Sequence, residues 1–338
     1  MPDDVRVGLF LTHQRPAGTD PLAMLDEQLS LVRAARDGGL DSVFGGQHHL
    51  SETYAHIQPL PWLARVAAEA GDMTVGTGIH LLALHNPVDT AEAYASLDVI
   101  CRGRSVFGIG LGYREVEYAA FGIPPEEKLR RFTENLRIVQ ELWRGEKVHA
   151  DLPWTRLDGV QAEMRPIAQP PVWMAAHADA AVRRAARLAD TWMISPHATT
   201  STIRRQLDLF HAERAAAGRG PLRELPLMRE VYCAPTRERA VELARPHLAG
   251  KYAVYADWGQ DRVLPGNESF RTGYDELAED RFVVGSPEDC LAALLPWRDE
   301  LGVNHFVLRT EWAGMPVHDA LASLDLIARE IAPVLRTS

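Results

Sequence analysis

The chain from Met73 to Gly122, MTVGTGIHLLALHNPVDTAEAYASLDVICRGRSVFGIGLGYREVEYAAFG, is compatible with few architectures. MTVGTGI is a short β-rich run holding Gly76 and Gly78, where a second backbone or a flat ligand can come close. His85-Asn86-Pro87 closes a loop, with Pro87 where a first helical turn tolerates proline. Apolar residues recur at helical spacing from Val88 to Ile100, and Ser105-Val106-Phe107 re-enters a strand that runs into Gly108, Gly110 and Gly112. Two strands joined by one helix make a βαβ unit, and such units carry their sites at the C-terminal strand edge.

The same rhythm runs through the rest of the chain. Val5–Thr12 is a near-continuous apolar strand, as in a parallel sheet buried on both faces, and it ends at His13. A helix over Leu22–Arg36 stops at Gly38-Gly39, and a second strand, Asp41–Phe44, runs into Gln47-His48-His49. Helices are expected over Pro61–Ala70 and, with strong amphipathicity, over Glu126–Trp143. Gly145–Pro171 reads as a proline-rich connection without periodicity.

Strands at Pro171–Ala176, Thr191–Ser195, Leu225–Ala234 and Val303–Arg309 then alternate with helices at Asp179–Leu188, Ser201–Ala217, Arg237–Leu248 and Val317–Leu335. Lys251–Arg281 reads as an aromatic and polar insertion, and Ser286-Pro287-Glu288-Asp289 as a strong helix start. About eight alternations without a composition break predict an α/β fold, a (β/α)8 TIM barrel. It is expected as a single domain over residues 1–338, with insertions near 145–171 and 250–284. An open dinucleotide fold is disfavoured, because Gly108, Gly110 and Gly112 are spaced GxGxG and fall far from the first strand turn.

A formal net charge of -10 argues against nucleic acid or an anionic membrane as partner. Cys101, Cys233 and Cys290 are odd in number and lack metal-type spacing, so neither a disulfide framework nor a cysteine metal site is expected. The N-terminus has no signal-peptide pattern and no apolar run approaches spanning length, so a cytoplasmic protein is expected.

The segments GTGIHLLALHNPVDTAEAYASLD and GRSVFGIGLGYREVEYAAFG together resemble the bacterial luciferase-like superfamily of flavin-dependent oxidoreductases. Members pair an "hNP…AE…a.LD" helix with "GR…GiG.Gy…E….fG" after the fourth barrel strand, and the resemblance extends from Val5 to Leu335. It implies a monooxygenase in which reduced FMN, supplied by a separate flavin reductase, meets O2 and a small organic substrate. It also implies a homodimer. The same fold with a deazaflavin, transferring hydride without oxygen, is the alternative, and a non-catalytic flavin-binding relative is a third reading.

The strand ends supply the candidate site residues, which are rich in histidine and arginine with few carboxylates. That balance disfavours a carboxylate-pair hydrolase, and no ligand spacing supports a metal. By the resemblance, His48 and His49 are the catalytic candidates, with His48 acting near the flavin as base or hydrogen-bond donor. Gln47 stands where luciferase catalytic chains have glutamate, so luciferase chemistry itself does not transfer.

Thr77, Gly78 and Ile79 match the strand end that in many relatives carries a non-prolyl cis peptide under the isoalloxazine ring. Gly110, Gly112, Tyr113 and Arg114 are expected along the ribityl and phosphate, with pairing of Arg114 to Glu115 or Glu117 as its alternative. Leu111 replaces an arginine of luciferase catalytic chains, so the phosphate contacts must differ. Ala176 and His177, leading into a helix N-terminus, are expected to cradle the phosphate with Asp179 turned outward, and Ser195 completes the cofactor set. His13, Trp258 and Arg309 are the substrate candidates.

Overall fold

The computed structural model describes residues 5–266 and 268–337. Nine strands and the helices between them follow in order: β1 (Arg6–Leu11), α1 (Pro21–Asp37), β2 (Ser42–Gly45), α2 (Pro59–Ala67), β3 (Thr74–Thr77), α3 (Pro87–Ile100), β4 (Ser105–Gly110), α4 (Glu115–Ala120), α5 (Lys128–Trp143), β5 (Val172–Ala175), α6 (Asp179–Leu188), β6 (Thr191–Met193), α7 (Thr200–Ala216), β7 (Pro226–Cys233), α8 (Arg237–Asp257), α9 (Tyr274–Arg281), β8 (Phe282–Gly285), α10 (Pro287–Asp299), β9 (His305–Arg309) and α11 (Val317–Leu326).

These strands form one parallel sheet in the order β6-β5-β4-β3-β2-β1-β9-β7-β8. Ile194, just past β6, makes an isolated parallel bridge with Leu227 of β7, its N–H donating to Pro226 O at 3.0 Å. Every residue of β4 and β7 is buried, which is why both read as apolar runs rather than alternating ones. Helices cover the outer face of the curled sheet. On its inner face Phe10, Phe44, Val106, Trp173, Met193, Met228 and Val307 form a separate apolar plug, with Phe44 stacked on Trp173 at 4.9 Å between centroids.

The helix starts follow local chemistry. Asp20 caps α1 ahead of Pro21, Asn86 caps α3 ahead of Pro87, and Ser286 with Asp289 completes a capping box ahead of Pro287. Among the described residues no helix is long and apolar enough to cross a membrane, and the three cysteines are free and buried.

Four expectations require correction. Gly145–Pro171 is not featureless: Val148–Leu152 and Thr155–Val160 pair as an antiparallel hairpin. Most of its side chains alternate with solvent, and its cross-strand partners include the exposed pair His149–Asp158, so no apolar signal marks it. The predicted insertion at Lys251 is the continuation of α8, which runs through Pro246 to Asp257 because Ala240, Ala244, Leu248, Tyr252 and Tyr255 keep one buried face at helical spacing. Phe282–Gly285 is a ninth strand, set between α9 and the Ser286 helix start at the end of the stretch read as an insertion. The helix expected over Val317–Leu335 is broken by a π turn at Ile327–Ile331.

Candidate active site

A cavity of about 280 Å³ opens at the C-terminal ends of the strands. The parallel arrangement puts these ends together, as in other α/β folds with helical crossovers. Phe10, Met193 and Met228 of the inner plug form its floor.

His48 reaches the wall from the loop after β2. Its Nδ1 lies 3.1 Å from Glu117 Oε1, and the same oxygen accepts the His49 backbone N–H at 2.8 Å and Arg114 Nη1 at 3.2 Å. Burial alone would raise the Glu117 carboxyl, but the His48 hydrogen bond, the His49 N–H and the Arg114 charge outweigh it and hold it below its ordinary value. An ionised Glu117 makes Nδ1 the protonated nitrogen. Nε2 is then the ring nitrogen not engaged with Glu117, on a side chain that lines the cavity. Gln47 supports the loop from beneath: its Oε1 accepts the Leu81 N–H at 2.7 Å.

Gly78, Ile79, Gly110, Gly112 and Tyr113 line the adjoining wall, and the Gly78–Ile79 peptide is cis. A Cβ on Gly110 would overlap Ile79 Cδ1, and Gly112 has φ +82°, so this wall is shaped by missing side chains. It is flat and apolar enough for an aromatic ring system. Ala176 and His177 continue the wall to α6. The α6 N-cap, Ala178, supplies no capping side chain, while Asp179 turns outward to Arg205 at 2.7 Å and to Gln206 at 2.9 Å. Ala178 and Ala181 at this helix start line the cavity, and while Ala181 N–H donates to Ala178 O at 2.8 Å, the N–H groups of Asp179 and Ala180 have no acceptor among the described residues.

Arg184, one turn further on, also lines the cavity, and burial is the main cause that lowers its pKa. Its neighbours are already paired, Arg183 and Arg187 with Glu213 at 2.9 and 2.8 Å. Burial brings His177 down to about 4, so its ring is neutral, with Ser195 Oγ 2.9 Å from Nε2. Flat apolar wall at one end and open N–H groups with a cation at the other fit a flavin and its phosphate.

The structure brings His48, Gly78, Ile79, Gly110, Gly112, Tyr113, Ala176, His177, Ser195 and Arg309 to this one cavity. Five expected residues stand elsewhere. Thr77 turns its hydroxyl to Gly108 O at 2.6 Å, behind the wall. His49 packs its ring on Phe121 at 4.8 Å. Arg114 does not reach toward a phosphate; it holds the His49 and Leu50 carbonyls and lies 4.3 Å over the Trp258 ring. Trp258 is thereby a roof strut, stacked on Tyr255 at 5.3 Å. His13 is fully buried against Trp62.

The run from Lys251 to Gln260 reads in the sequence as pocket wall, and Tyr255 and Gln260 of it do line the cavity; Arg184 as a wall residue and Glu117 as the partner of His48 carry no such signal. The described residues hold no group of three or more His, Cys, Asp or Glu arranged for a metal ion.

Residues 5–305 match the family model described as luciferase-like monooxygenase. An F420-dependent glucose-6-phosphate dehydrogenase of Beutenbergia cavernae is 28% identical over 317 residues, covering 91% of this chain and 93% of that protein. Monooxygenase RslO1 of Streptomyces bottropensis has a similar structure, with TM-score 0.83 at 24% identity over 97% of this chain and 99% of that one. The oxygenating constituent of 3,6-diketocamphane monooxygenase of Pseudomonas putida, a type II Baeyer–Villiger monooxygenase in complex with FMN, gives TM-score 0.81 at 18% identity over 98% of each chain. At these identities the solved structures speak to the fold, while the family model spans most of the chain. The protein is an oxidoreductase that belongs to the luciferase-like monooxygenase family.

Proposed function

We propose that this protein is an FMN-dependent monooxygenase that oxygenates a small organic substrate. Reduced FMN, supplied by a separate flavin reductase, would bring the oxygen chemistry. The chain's own part is to bind and orient the ring along Gly78–Ile79 and Gly110–Tyr113, to exclude water, and to hold a proton acceptor at His48 Nε2. The reading includes a closed (β/α)8 barrel in one domain, joined through Ile194 and Leu227. It also includes a homodimer formed through α2 and α3, which a monomer in light scattering at micromolar concentration would refute.

The observation that carries the choice of FMN is the cradle at α6. Its open N–H groups and Arg184 suit one phosphate, whereas Arg183, Arg187 and Arg205 are paired with Glu213 and Asp179 and leave little for the longer anionic tail of a deazaflavin. The second reading, hydride transfer with a deazaflavin, is favoured by the likeness to an F420-dependent dehydrogenase.

Anaerobic calorimetry separates the two. Reduced FMN is expected to bind about tenfold or more tightly than both reduced riboflavin and a reduced deazaflavin, and Arg184→Gln is expected to erase the advantage over riboflavin. Tighter binding of the deazaflavin would select the second reading. Binding of neither flavin would refute both.

A further inference from the structure

Beyond the flavin cradle, one end of the cavity holds more cation than its own acids balance. Glu230 of β7 is fully buried, and both its oxygens are engaged: Oε1 accepts from Lys251 Nζ and, at 3.2 Å, from Arg309 Nη1, while Oε2 accepts from Trp312 Nε1 at 2.6 Å. One carboxylate thus serves two buried cations. The next acid along, Glu311, is already held by Arg15 and by Thr12 Oγ1 at 3.0 Å. The surplus shows in Lys251, which burial and the charge of Arg309 bring down to about 7 against the pull of Glu230.

Arg309 is the member of this cluster that reaches the cavity. It is only 4% exposed, it stacks on Phe10 at 4.4 Å, and its Nη2 has no better partner than Met228 Sδ at 3.8 Å. Its Nε–H has no partner at all among the described residues. Tyr255 and His197 also line the cavity, the latter 8% exposed with neither ring nitrogen hydrogen-bonded among the described residues. A guanidinium cannot shed its proton, so a desolvated one with an open donor is costly until a ligand completes it.

The flavin does not account for this end. The expected ring and phosphate contacts lie on β3, β4, β5, α6 and, through Ser195, the end of β6, whereas Arg309 ends β9, with β1 and β2 between it and β3 and with Phe10 of β1 under its guanidinium. We infer that the Arg309 end of the cavity, with Tyr255 beside it, binds a carboxylate group of the substrate, an inference that rests on the flavin reading for the rest of the cavity. The substrate is then a small organic acid, seated by its carboxylate on β9 with its apolar body directed across Phe10 toward the ring.

The test is calorimetry on the flavin-loaded protein with matched pairs of probes: benzoate and benzamide, cyclohexanecarboxylate and its amide, hexanoate and hexanamide. At least one carboxylate is expected to bind about tenfold or more tightly than its amide, the range of one charge-assisted hydrogen bond. Arg309→Gln should remove that preference while flavin affinity stays within about threefold. Arg309→Lys, which keeps a cation beside Glu230, should retain part of it. Equal binding of acid and amide in every pair, or no binding of any acid, overturns the inference. So does a preference that survives Arg309→Gln, or a loss of flavin affinity in that variant, which would give the guanidinium to the flavin. The wild-type comparison needs no variant to fold, and repeating it without flavin keeps the result separate from any failure of the flavin reading.

Discussion

A histidine next to a buried carboxylate has its tautomer chosen for it, and here that choice separates stability from chemistry. Glu117 joins His48, the His49 N–H and Arg114, and Arg114 is itself buried. Replacing Glu117 by Gln leaves the Arg114 charge without its counter-ion, and breaking such a pair costs about 3 kcal/mol or more. Urea denaturation at pH 7.5 should show that loss. His48→Ala removes only one partner of Glu117, so stability should change little and flavin affinity should stay within about threefold, while turnover falls by about a hundredfold as for other general acid–base groups. Unchanged turnover would remove His48 from the chemistry. The pair of histidines was legible in the sequence because it sits at a strand end. The partner was not, because Glu117 is one of two acids in the first turn of a short helix, and nothing in spacing says which one is buried. The same limit explains His13, Arg114 and Trp258: a strand end predicts the neighbourhood of a side chain, not the side on which it falls.

At the scale of elements, the start of α6 trades helix stability for an anion site. Ala178 has the extended backbone of an N-cap, φ −72° and ψ 149°, but no side chain to cap with. An aspartate there would accept one of the open N–H groups, and N-caps of this kind contribute about 1 kcal/mol over alanine. Ala178→Asp should therefore raise the melting temperature of the apoprotein. It should also weaken FMN binding by about tenfold or more, because the new carboxylate takes the donors and repels the phosphate. Unchanged FMN affinity would place the phosphate elsewhere.

The strand–helix rhythm that positions α6 was readable because parallel strands buried on both faces are apolar throughout, and because proline and Ser or Asn mark helix starts. The misread elements lacked those marks. In α8 the aromatic run after Gly250 looked like an insertion, yet the buried stripe from Ala240 to Tyr255 carries the helix on to Asp257 and brings Tyr255 to the cavity, with Trp258 stacked on it. The hairpin at 148–160 is held by backbone pairing between polar strands, a force that leaves little trace in composition.

The whole molecule carries an unusual load of neutral buried histidine. His13 is brought down to about 3 and His85 and His177 to about 4, with burial the largest cause in each. Burial likewise lowers His56, His80 and His197 well below the ordinary range. In the unfolded chain each would titrate near 6.5. Between those folded values and 6.5 the unfolded chain holds more protons than the native one, so stability rises with pH there and is lost as pH falls below 6.5. Each such histidine withdraws about 1.4 kcal/mol per pH unit, and six together approach the stability of a typical domain by about pH 5. Cooperative unfolding between about pH 6 and pH 5 is the expected outcome, ahead of the range in which carboxylates protonate. Circular dichroism across that range measures it. His80 offers the internal control: its ring stacks on His85 at 4.3 Å, its nitrogens have no partners among the described residues, and it lies outside the cavity wall. His80→Leu should leave stability at pH 7.5 within about 1.5 kcal/mol and move the acid midpoint to lower pH. A melting temperature that is flat from pH 7 to pH 5 would mean that these histidines gain protons in the folded state, by opening to water or by finding acceptors, and that their burial is not what sets the acid limit of the fold.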